Sequence, residues 1–99
     1  MNSHEICWLW DPFKAAGNVR KHRVSFELAT MALNDLNQIS QLDIESYEHR
    51  FKTLARIEDA ILLIVHTEPE PERYSGRLLG RIISARKATP TERRAYYND

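Results

Sequence analysis

The sequence predicts a single α+β domain over residues 1–99, with helices packed on one face of a small antiparallel sheet. Three observations carry this. Two capped helical segments stand in the first third of the chain, three strand-length apolar runs joined by turns follow, and a capping box opens a last helix. The expected order is β-α-α-β-β-β-α, with a possible extra edge strand.

Residues 4–10 (HEICWLW) are apolar on both alternating faces and rich in β-favouring aromatics, which predicts a strand near the sheet centre. Asp11-Pro12 then starts a helix, because the carboxylate caps free N–H groups and a proline at the first position loses no hydrogen bond. This helix should run to about Lys21. Phe13, Ala16, Val19 and Arg20 form its weak apolar stripe, while Lys14, Asn18 and Lys21 point away. Ser25 caps a second helix that shows Phe26, Ala29 and Leu33 on one face, and Asn34, Asp35 and Asn37 end it. Residues 38–44 scatter Ile39, Leu42 and Ile44 among polar residues and read as an edge strand or an ordered loop.

Strands follow at 50–57, 60–67 and 78–86, and Glu58-Asp59 leaves room only for a hairpin turn. The run AILLIVHT is apolar on both faces and belongs at the sheet centre. Residues 68–76 (EPEPERYSG) carry two prolines and a glycine and should form an irregular exposed loop. Thr89-Pro90-Thr91-Glu92 is a capping box, opening a helix to about Tyr97.

Composition excludes several classes. With 42% hydrophobic and 28% charged residues the chain is ordinary for a soluble globular domain. The longest apolar run, Ala60 to Val65, is far shorter than a membrane span, and the single cysteine, Cys7, offers neither a disulfide nor a thiolate metal site. A cytoplasmic location is expected. Net charge is zero, yet positions 73–97 hold seven basic residues against one acid, and positions 14–23 hold four basic residues and none. Such segregation lets a neutral protein present a basic face to phosphate.

Within the run Arg81 to Thr89, strand alternation predicts that Ser84 and Arg86 share one face and Arg81, Ile83 and Ala85 the other. An arginine at a concave sheet face holds a phosphate bidentately and balances developing charge, although a solvated strand-end arginine needs no such role. Arg50 offers a further phosphate contact or only an edge charge. Glu92 is suited to act as a base, though the capping box already explains it, and Tyr96, four residues on, can serve as a polar or stacking group. Lys21 and His22 place an ammonium and an imidazole at a helix end, where the helix dipole also favours them. His66 fits a hydrogen-bonded core residue better than a catalyst. No HExxH, CxxC, phosphate loop or nucleophile elbow occurs, so neither a metal nor a cofactor is expected.

Two blocks together resemble the BrnT toxin family. The first is Trp10-Asp11-Pro12-Phe13-Lys14-Ala15 through Asn18, Lys21-His22 and Val24-Ser25-Phe26-Glu27-Leu28-Ala29. The second is Arg81-Ile82-Ile83-Ser84-Ala85-Arg86-Lys87-Ala88-Thr89 with Glu92-Arg93-Arg94-Ala95-Tyr96. Arg50-Phe51 and His66-Thr67 stand between them in the expected order. The chain departs from the usual pattern at Arg23 and Ala55, where glycines are frequent, and in a longer 68–80 loop.

The resemblance implies a RelE-like ribonuclease toxin of a type II toxin-antitoxin pair. Its partner would be a small BrnA-type antitoxin with a ribbon-helix-helix DNA-binding part, and operator DNA would be met only through their complex. A metal-free ribonuclease drives the substrate 2′-OH onto the adjacent phosphate, which requires a base, an acid and cations around the phosphorane. On this reading Arg86 with Arg81 or Arg50 stabilises the phosphate, and His22 or Glu92 transfers protons. Lys21, Arg93 and Tyr96 position RNA. A degenerate toxin that only binds its antitoxin, or a DNA-binding regulator, fits the same charge pattern. The basic face should be covered by an acidic or amphipathic segment of the antitoxin.

Overall fold

The computed structural model describes residues 5–45, 47 and 49–98, so the expected strand start at His4 lies outside the described residues. The elements run β1 (Ile6–Leu9), α1 (Pro12–His22), α2 (Phe26–Ala32), β2 (Ile39–Asp43), β3 (Arg50–Ile57), β4 (Ala60–Thr67), β5 (Glu70–Pro71), β6 (Leu78–Lys87) and α3 (Pro90–Asn98). The α+β class and the element sequence follow the expectation, with β2 as the extra edge strand.

The strand order is β1-β6-β4-β3-β2, which puts the apolar β4 at the centre as its composition requires. Two features differ from expectation. β1 lies at the sheet edge and pairs parallel with β6, so the sheet is mixed. Its aromatic content serves one face of the core instead: Trp8 lies opposite Gly80 and meets His66 edge-on at 5.0 Å. A Cβ on Gly80 would stand 2.4 Å from the Trp8 ring, so only glycine leaves room for the indole to lie across β6. The 68–76 loop is also not wholly irregular, because β5 pairs Glu70 and Pro71 with Leu79 and Leu78. Pro71 has no N–H to extend that ladder.

The helices do not all share one face. Strand alternation sends Ala55, Leu62, Ile64, Ile82 and Ala85 to the side covered by α1 and α2, where Val24, Phe26, Ala29 and Ala32 complete the main core. Leu54 and Ile61 emerge on the opposite side, where α3 lays Tyr96 over them. β4 is apolar on both faces, and each face needs its own cover.

α1 is rolled opposite to the expected orientation. Asn18 is buried, and its amide donates to Val24 O at 2.9 Å and Ala85 O at 2.7 Å while its oxygen accepts from Ala85 N at 3.2 Å. Asn18 thus occupies the hydrogen-bonding edge of β6 beyond the end of β1, satisfying backbone groups that burial would otherwise leave unpaired. Phe13, Ala16 and Val19 are consequently exposed. The caps form as expected. Asp11 accepts from Phe13 N at 2.8 Å and Ser25 from Leu28 N at 3.0 Å. Arg23 ends α1 with φ 61°, and Glu58 makes the hairpin turn at φ 53°. Both positions strain a residue with a Cβ.

His66 is a core residue. Its Nδ1–H donates to Thr67 O at 2.8 Å, so Nε2 accepts from the Thr53 hydroxyl at 2.6 Å, and Thr53 in turn accepts from Ser40 at 2.6 Å. Burial holds the imidazole below its usual range, in the neutral form this relay uses. Among the described residues no helix is long and apolar enough to cross a membrane.

Candidate active site

The side of the sheet that α3 covers only at one end is the candidate site. Register fixes its layout as cross-strand rows about 7 Å apart, two residues per step. Ile39, Leu54, Leu63 and Arg86 form the first row, beneath α3. Gln41, Lys52, Val65 and Ser84 form the second. Asp43, Arg50 and Thr67 form the third. Arg81 completes it, with its backbone N–H donating to Thr67 Oγ1 at 2.9 Å.

Arg81 reaches this face because of a bulge. Val65 pairs with Ser84 but His66 pairs with Ile82, so Ile83 is an extra residue in β6. Simple alternation, which separates Arg81 from Arg86, is therefore corrected: Arg81, Ser84 and Arg86 share the open face, and Gly80, Ile82 and Ala85 face the main core. Arg50 and Lys52 stand on the same surface as these two arginines.

Arg86 and Glu92 form a bidentate pair, with Nη1 to Oε1 at 2.8 Å and Nη2 to Oε2 at 3.0 Å. Glu92 also closes the capping box: it accepts from Thr89 N at 2.8 Å, and Thr89 Oγ1 accepts from Glu92 N at 3.1 Å. The hydrogen bond from Arg86, aided by Thr89 against the cost of burial, holds the Glu92 carboxyl below its ordinary range. The same bond raises Arg86 further. α3 thereby fixes the guanidinium over the edge of a groove of about 410 Å³ lined by Gln41, Lys52, Leu63, Arg86 and Glu92 among others.

At the other end of the face lies a second cleft, of about 440 Å³, whose walls include His49, Thr67, Glu68, Glu70 and Arg81. His49 immediately precedes Arg50, and its carbonyl accepts from Glu68 N at 3.2 Å, which ties the two strand ends together.

The remaining candidates separate. Lys21 and His22 belong to α1, in the layer across the sheet from Arg86; one turn beyond Asn18, His22 shares its inward side while Lys21 is exposed. Arg93 is exposed on α3, with its guanidinium over the Tyr97 ring at 5.8 Å and donating to Asp59 O at 3.4 Å. Tyr96 corrects the stacking expectation. Its ring packs against Leu54 and Ile61, and its hydroxyl donates to Asp35 Oδ2 at 2.5 Å. Burial and that bond push the phenol up to about 12.

Sequence reasoning missed Lys52 and His49. Lys52 was legible, since it stands two residues from Arg50 on a recognised strand and must share its face. His49 carried no signal beyond adjacency, because only the fold brings it beside Arg81, which lies 32 positions later. Among the described residues, no three His, Cys, Asp or Glu side chains gather as a metal-ligand set.

A family model described as the ribonuclease toxin BrnT of type II toxin-antitoxin systems matches residues 10–92. No curated protein matches the chain. The matched span contains every element from α1 to β6 and extends into α3 as far as Glu92.

Proposed function

Because the chain belongs to the BrnT ribonuclease toxins of type II toxin-antitoxin systems, we propose that it cleaves RNA on the open sheet face without a metal ion, using the substrate's own 2′-OH as nucleophile. The observation that carries this reading is the bulge at Ile83, which gathers Arg81, Arg86, Arg50 and Lys52 on one surface. Guanidinium groups at such a surface hold the phosphate oxygens and balance the charge that grows on the phosphorane. Arg86 enters this role already oriented by Glu92.

Attack by the 2′-OH on phosphorus forms a P–O2′ bond and breaks the P–O5′ bond, so one proton leaves O2′ and another reaches O5′. Glu92 lies on the correct face, yet both its oxygens are engaged by Arg86 and its basicity is lowered, which supports a positioning role. His22 is an imidazole, the group suited to proton transfer near neutrality, but it belongs to the opposite layer. His49 lines the same cleft as Arg81 and carries an imidazole, so it serves as the proton-transfer group there. Arg93, exposed on α3, supplies outlying charge for longer RNA, whereas Lys21 lies in the far layer with His22.

The partner is a small BrnA-type antitoxin that neutralises the enzyme in the cytoplasm and carries a ribbon-helix-helix part. The pair binds operator DNA, which this chain alone does not. The domain acts as one unit over residues 1–99. Incubating the purified chain with RNA or DNA in EDTA tests the reading. RNA should be cut and DNA spared; RNA left intact by folded protein overturns the enzyme, and DNA binding by the chain alone favours a regulator.

A further inference from the structure

The outward side of α1 has no role in the fold. On a helix turning 100° per residue, Phe13, Ala16 and Val19 form a stripe whose middle, Ala16, lies about 160° from Asn18. The three hydrogen bonds of Asn18 to Val24 and Ala85 lock the roll of the helix, so the stripe cannot turn inward. Phe13 is 87% exposed and Val19 42%. An exposed apolar stripe of this kind marks a contact surface, since exposing a phenyl ring forfeits the favourable burial that drives packing.

The charge around the stripe says what covers it. Arg20 falls within the stripe, Lys14 and Lys21 flank it on one side, and α1 carries no acidic residue. A second copy of the same surface would bring cations against cations. The complementary partner is an amphipathic helix with apolar residues at helical spacing and carboxylates beside them. A type II toxin already requires a protein partner.

We infer that the outer face of α1, Phe13, Ala16 and Val19 with Lys14 and Arg20, is the docking site for an acidic amphipathic helix of the antitoxin. This inference rests on the type II reading above. It places the anchor on the helix layer, away from the phosphate-binding rows, so that binding strength and cleavage are separable by mutation.

The probe is the small protein encoded beside this chain, purified on its own. Phe13→Asp with Val19→Asp should weaken its binding at least tenfold, while the free variant melts near wild type and cuts RNA at the wild-type rate. Lys14→Glu with Arg20→Glu should weaken it in the same direction, by an amount that shrinks as salt is raised. Undiminished binding by both variants overturns the inference. So does a dimer of the free wild-type chain in sedimentation that Phe13→Asp dissolves, since a second copy would then be the occupant. If the free wild-type chain fails to cut RNA, the ribonuclease reading falls, whereas the binding comparison still decides the docking site.

Discussion

Arg81 and Arg86 point to the same side of β6 although five positions separate them, because Ile83 is an extra residue opposite the Val65–His66 step. An odd separation in a regular strand gives opposite faces. One inserted residue therefore brings two charges that alternation would separate onto the same open face.

Removing either arginine should cost activity far more than stability. Arg86→Ala and Arg81→Ala should each lower RNA cleavage by about 10²–10³-fold, the size expected for one lost transition-state donor. The Arg86 side chain is 36% exposed in its pair with Glu92. Loss of such a pair costs about 0–1 kcal/mol, so melting should shift by only a few degrees. Single-turnover kinetics and thermal melts check both. Full activity in Arg81→Ala would mean that the bulge has no catalytic purpose.

The proton-transfer assignment is read from cleavage rates. His49→Gln should lower cleavage by about 10²–10⁴-fold, the size expected for one lost proton-transfer group, and His22→Gln should leave it near wild type. Glu92→Gln should also lower the rate, because its carboxylate orients Arg86.

His66 makes stability depend on pH. Burial lowers its folded pKa below the ordinary 6.5, so below that value the unfolded chain binds a proton that the folded chain resists. Its contribution is complete above 6.5 and is lost as pH falls from there through the lowered folded value. Asp35 and Glu92, both held below the carboxylate range, lose theirs at more acidic pH. Melting temperature should therefore decline from pH 7 to 5, and His66→Gln should flatten that part of the curve.

Tyr96→Phe separates packing from substrate stacking. It keeps the ring against Leu54 and Ile61 but removes the bond to Asp35, which also accepts from Arg56 N at 2.8 Å and Asn37 N at 2.9 Å. The expected loss is about 1 kcal/mol, or about 4–8 °C, with RNA cleavage unchanged. Wild type should also weaken as pH rises from 10 toward 12, the phenol's folded value, and the variant should lack that share.

Local signals in the sequence read well. Asp11, Ser25 and the Thr89–Glu92 box cap the helices they announce, because each cap spans only two or three residues. The central place of β4 follows from its two apolar faces. What escaped depends on distant partners. The roll of α1 is set by Asn18 meeting Ala85, 67 positions away, against a stripe that by itself points the other way. The parallel pairing of β1 at the edge, the bulge in β6 and the inward turn of Tyr96 toward Asp35 are likewise settled by packing between segments with no local signature. The candidate site was half legible for the same reason. Arg50, Arg86 and Glu92 were found on strand and cap patterns, while their union with Arg81, Lys52 and His49 is a product of register.

If a phosphate held on the open face is attacked by the neighbouring 2′-OH, the ends of the cleaved RNA record it. The measurement is end-group analysis of an RNA oligonucleotide cut in EDTA, with a matched oligonucleotide carrying a single 2′-deoxy nucleotide at the cut position. The products should end in 2′,3′-cyclic phosphate and 5′-hydroxyl groups, with no cleavage at the deoxy position. Products ending in 3′-hydroxyl and 5′-phosphate, or cleavage undiminished at the deoxy position, would show that water is the nucleophile and contradict attack by the 2′-OH.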